Sequence, residues 1–137
     1  MIARLVLDAS AALHVVTRSQ QALPLVEQLK SAHVVIAPKL FCSEVANALW
    51  KYVKFGDLTK ATAIAQLAEA LLLIDSFEQD DNLVVEALSG AVDSSHPVYD
   101  FTYLILARRF SATLLTMDKK MAELAKKLAI DVCYCGR

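Results

Sequence analysis

Short apolar runs alternate with longer stretches of helical periodicity along this whole chain, and that alternation leaves few architectures open. Leu5-Val6-Leu7 ends at Asp8, Val34-Val35-Ile36-Ala37 is stopped by Pro38, and Thr113-Leu114-Leu115-Thr116 precedes another acid two residues on. These read as buried strands. Residues 73–77 and 131–135 read as two more. Between them the spacing predicts helices over residues 9–17, 21–32, 40–55, 59–72, 80–92, 97–110 and 118–128. Phe41, Val45, Leu49, Tyr52 and Val53 form the apolar stripe of the third. Strands separated by helices cannot pair through hairpins, so the expected fold is α/β, a parallel sheet covered on both faces. A chain of 137 residues suits one domain, residues 1–137, and buries a core without disulfides or metals.

Composition narrows the function classes. Hydrophobic residues make up 56% of the chain, which suggests an oligomer or a stable partner covering part of the surface. The net charge of −1 lacks the basic excess of a general nucleic-acid binder. Phosphate contacts would come from a local patch. The three cysteines, Cys42, Cys133 and Cys135, are too few and too oddly placed for a disulfide framework. A reducing compartment fits them. No secretory signal or membrane span is expected, so the chain reads as cytoplasmic.

Four acids stand in otherwise uncharged surroundings. Asp8 ends the first strand run. Glu44 borders the apolar stripe of the third helix, with Asn47 and Lys51 on the same side. Asp100 is the only charge between Val98 and Ala107, in a helix apolar almost all round, and Asp118 follows the run at residues 113–116. In open α/β sheets sites form beyond the carboxyl ends of the strands. Right-handed crossovers bring all four positions to that edge. Each has a plainer role too: Asp8 and Asp118 as helix N-caps, Asp100 opposite a helix dipole, Glu44 as a half-exposed helix residue. Together they crowd like charges. Two unit charges about 4 Å apart repel by about 4 kcal/mol at an effective dielectric of about 20. Hard divalent cations relieve that crowding with oxygen ligands.

The chain resembles the PIN-domain family, and within it the VapC-like ribonuclease toxins of VapBC toxin–antitoxin pairs. The matching pieces are Leu7-Asp8-Ala9-Ser10-Ala11, Ser43-Glu44-Val45-Ala46-Asn47-Ala48-Leu49, Tyr99-Asp100-Phe101-Thr102-Tyr103-Leu104 and Leu114-Leu115-Thr116-Met117-Asp118-Lys119-Lys120-Met121. The resemblance implies a three-layer α/β/α domain with a five-stranded parallel sheet. It implies Asp8, Glu44, Asp100 and Asp118 as both catalytic residues and ligands of one or two Mg²⁺ or Mn²⁺ ions. Ser10, Thr116 and Asn47 would support them by hydrogen bonds. RNA is the implied substrate, a small VapB-like antitoxin the implied partner, and a homodimer the implied assembly. Lys120 stands where some PIN nucleases carry another acid, which leaves the number of ions open and offers Lys119 and Lys120 as RNA contacts.

Two other readings stay in view. A dehalogenase-like phosphohydrolase with an aspartyl nucleophile shows a second Asp two residues after the first, where this chain has Ser10. A catalytically silent binding module would use the acidic pocket to receive a partner's arginine. Trp50 and Phe55, beside the stripe of the third helix, suggest an apolar groove for an antitoxin helix. Among the three histidines, His96 stands out because it precedes Pro97 close to Asp100.

Overall fold

A computed structural model of the chain describes residues 2–136. Among these, five parallel strands form one sheet in the order β3-β2-β1-β4-β5. They are β1 (Ile2–Leu7), β2 (Ala32–Pro38), β3 (Ser76–Glu78), β4 (Thr113–Thr116) and β5 (Val132–Tyr134). The helices are α1 (Ala9–Val16), α2 (Ala22–Ser31), α3 (Leu40–Lys54), α4 (Lys60–Leu72), α5 (Val84–Ser94), α6 (Val98–Arg109) and α7 (Lys119–Lys127). The sheet is built leftward from β1 to β3 and then rightward through β4 to β5. Right-handed crossovers therefore place α1 to α4 on one face and α5 to α7 on the other. The order reverses between β1 and β4, and their carboxyl ends flank the crevice where such sheets hold their sites.

The strands at the centre are apolar because both faces are covered. Leu5, Val6, Leu7, Leu114 and Leu115 are fully buried. α6 crosses β1, β2 and β4, with α5 packed against it. Every residue of α6 from Phe101 to Ala107 is buried, so the middle of the helix shows no polar face and only its two ends reach solvent. No helix among the described residues is long and apolar enough to cross a membrane.

β1 and β2 begin earlier than expected, at Ile2 and Ala32, and two further elements are shifted, each for a visible reason. The segment expected as one helix over residues 80–92 begins as a 3₁₀ turn at Asp80–Asn82, and α5 starts only at Val84. There the Asp80 carboxylate accepts from the Leu40 backbone N–H at 3.0 Å, tying the turn to the start of α3. The strand expected over residues 73–77 is Ser76–Glu78, because Leu73 caps α4 and Ile74 fills the core from the following turn.

At the α5–α6 contact Gly90 lies against the buried Phe101 ring, and a Cβ there would overlap that ring. Gly90→Val is therefore expected to cost about 2–3 kcal/mol through overpacking. A lower urea midpoint at an unchanged m-value would show it; wild-type stability would refute the contact.

Candidate active site

Asp8 sits where β1 hands over to α1, and its backbone N–H is held by the Leu115 carbonyl at 3.2 Å. Its Oδ1 accepts from the Ala11 N–H at 2.9 Å, the N-cap bond of α1, and from the Ser10 hydroxyl at 2.7 Å. Its Oδ2 accepts from the Thr116 hydroxyl at the end of β4. Ser10 Oγ in turn accepts from the Met117 N–H at 3.1 Å, and Thr116 Oγ1 from the Asp118 N–H at 2.9 Å. The two hydroxyls thus stitch the ends of β1 and β4 together around one carboxylate. Only 2% of Asp8 is exposed. Burial pushes its carboxyl up from 3.8 to about 6, against the pull of those hydrogen bonds, and the nearby Asp118 charge adds to the rise.

Glu44 lies on the second turn of α3. The Tyr103 hydroxyl, from the buried run of α6, donates to its Oε1 at 2.6 Å. Burial raises the Glu44 carboxyl above its ordinary range, and the charges of Asp100 and Asp80 push the same way. The Tyr103 phenol is raised too, by burial and by the Glu44 carboxylate it serves, so it stays a donor at any working pH. Asp100, in the first turn of α6, has its Oδ2 2.7 Å from His96 Nε2. Asp118 caps α7, its Oδ1 accepting from the Met121 N–H at 3.1 Å.

These four carboxylates line one pocket of about 140 Å³, together with Ser10, Tyr103 and Met121. Among the described residues, Glu44 Oε2, Asp100 Oδ1 and Asp118 Oδ2 accept no protein hydrogen bond. The coordination shell is not finished: no three His, Cys, Asp or Glu side chains among the described residues are grouped closely enough to hold an ion as they stand. The donor set nonetheless suits Mg²⁺ or Mn²⁺. It is all hard oxygen, buried enough to raise two carboxyls, and three of its oxygens are uncommitted.

Other singled-out residues lie outside this pocket. Asn47 is on the exposed side of α3 with no side-chain hydrogen bond among the described residues. Helical spacing placed it near Glu44, but it turns to solvent. Lys119 and Lys120 are exposed on the first turn of α7, just beyond Asp118. The sequence did not mark Tyr103 or Asp80. Tyr103 reads as one more apolar residue in a buried helix, and Asp80 as a surface acid. A larger cavity, about 370 Å³, lies away from the carboxylates between α3 and α4, with Leu49, Trp50, Ile64 and Leu67 in its walls.

Comparison with known proteins identifies the family and the fold. A family model described as the PIN domain matches residues 5–127. Ribonuclease VapC3 of Pyrobaculum aerophilum is 35% identical over 128 residues, spanning 88% of this chain and 93% of that protein. The crystal structure of PAE2754 from Pyrobaculum aerophilum matches with a TM-score of 0.71 at 22% identity, covering 94% of this chain and 97% of that one. The structure of VapBC2 from Rickettsia felis, bound to a DNA fragment from its promoter, matches with a TM-score of 0.68 at 12% identity, covering 96% and 98%. The matched family model runs from the middle of β1 to the end of α7 and so takes in all four carboxylates: the chain belongs to the PIN-domain family and is VapC-like.

Proposed function

We propose that this protein is a divalent-metal-dependent endoribonuclease that acts as the toxin of a toxin–antitoxin pair. The carrying observation is the meeting of Asp8, Glu44, Asp100 and Asp118, from four separate elements, in one pocket at the reversal point of the sheet. The likeness to ribonuclease VapC3 supports RNA as substrate, and the VapBC2 match supports an antitoxin partner. A homodimer in the cytoplasm belongs to the same reading.

The four carboxylates would hold one or two Mg²⁺ or Mn²⁺ ions. Such an ion, when bound, makes water a better nucleophile and offsets charge on the phosphoryl group. The chain's own residues prepare the place. Ser10 and Thr116 fix the Asp8 carboxylate. Tyr103 fixes Glu44 through Oε1 and leaves Oε2 to bind an ion or orient the attacking water. Lys119 and Lys120 supply positive charge beside Asp118 for the RNA backbone.

A binding module that receives a partner's arginine draws support from the unfinished coordination shell. An aspartyl nucleophile does not fit, since both Asp8 oxygens already accept hydrogen bonds in a buried position. Purified protein incubated with total RNA separates these readings. Discrete fragments are expected with Mn²⁺ or Mg²⁺ and none with EDTA. Intact RNA under every condition would leave the binding module standing and remove the nuclease.

A further inference from the structure

His96 is held more firmly than its position between two helices requires. Ser95 ends α5 in the left-handed region, at φ 50°. The His96 backbone N–H then donates to the Ala91 carbonyl at 3.1 Å, and Pro97 opens α6 with its fixed φ. The imidazole is packed edge-on to Phe101, with centroids 6.1 Å apart and planes at 66°. Phe101 itself fills the space left by the missing side chain of Gly90. From this braced corner His96 reaches one helical turn forward, and Nε2 lies 2.7 Å from Asp100 Oδ2. The side chains are 18% and 28% exposed, so water competes little for the bond.

We infer that His96 is a positioning residue: its Nε2–H holds Asp100 Oδ2 so that Oδ1 stays aimed for a divalent cation. This rests on the metal-dependent reading above. A carboxylate on the first turn of a helix has several rotamers and would otherwise spend part of its time in solvent. A hydrogen bond to one oxygen selects one rotamer and leaves the other oxygen free. Donors behind metal-binding groups commonly contribute 10–100-fold in metal affinity. Asp8 and Glu44 have such donors in Ser10, Thr116 and Tyr103; His96 serves Asp100 in the same way.

The test is Mn²⁺ binding to the folded chain, read by electron paramagnetic resonance, with urea unfolding as the measure of fold. His96→Ala is expected to weaken Mn²⁺ binding about 10–100-fold. His96→Gln, which returns an N–H donor at similar reach, is expected to recover most of that loss. Wild-type affinity in His96→Ala would overturn the inference alone. Equal weakening in both variants would also overturn it, by tracing the effect to ring packing on Phe101. A wild-type protein that takes up no Mn²⁺ would overturn the metal-dependent reading and this inference together.

Discussion

Asp8→Asn is expected to cut RNA cleavage by at least roughly 100-fold, about 2.7 kcal/mol of transition-state stabilisation, while making the metal-free protein harder to unfold at neutral pH. The second half follows from the sign of the carboxyl's shift. In the folded chain Asp8 ionises near 6, in an unfolded one near 3.8. Below about pH 4 both states carry the proton and burial costs little. Between about pH 4 and 6 the unfolded chain releases its proton first, so folding loses free energy as pH rises. Above about 6 the penalty levels off at roughly 3 kcal/mol. Glu44 is displaced in the same direction and adds to the decline. An asparagine carries no charge at any pH and removes the Asp8 share. It also gives up part of the hydrogen bonding from Thr116, Ser10 and Ala11, leaving a net gain of about 1–2 kcal/mol. Urea unfolding in EDTA at pH 4.5 and 7.5 reads this directly. The variant's advantage should be small at the lower pH and clear at the higher. A variant no more stable than wild type at pH 7.5 would mean that Asp8 carries no buried charge. Wild-type cleavage by the variant would remove Asp8 from the catalytic set.

The architecture was legible because strand and helix periods differ and the core strands are apolar on both faces. Its edges were not. β1 starts at Ile2, three residues before its apolar run, because Ile2 and Arg4 pair through their backbones with Ala32 and Val34 although Ala3 and Arg4 are exposed. Hydrophobicity does not register strand residues whose side chains face solvent and whose backbones pair. The four acids were legible for the opposite reason: an isolated charge in an apolar stretch has little to do unless it meets a partner. Their supports divide by chemistry. Ser10 and Thr116 were singled out through the family resemblance, and both hydroxyls do donate to Asp8. Tyr103 is 59 positions from Glu44 and reads as core until the fold brings its hydroxyl there. His96 gave a local signal by preceding Pro97 close to Asp100. That position alone does not show which way the ring turns.

Trp50→Glu is expected to weaken antitoxin binding by about 100-fold or more while leaving both fold and cleavage intact. Trp50 is 54% exposed and stands in the wall of the groove between α3 and α4, where an amphipathic helix would lay its apolar face. A central tryptophan is the residue type that carries most of such an interface, and a carboxylate there would have to shed its water for an apolar partner face. The fold should tolerate the change. The indole's contact with the core is partial, and its packing under the Lys54 ammonium, 5.2 Å from the ring centroid, is replaced by a carboxylate one turn before that lysine. The position also suggests how a partner could silence the pocket. Glu44 and Trp50 share α3, six residues apart, about 9 Å along the axis. Co-expression with the product of an adjacent short reading frame, followed by pull-down and RNA cleavage, tests both points. The variant should come down alone and cut RNA even when that product is present. A variant that still binds and is still inhibited would show that the groove is not where the partner docks.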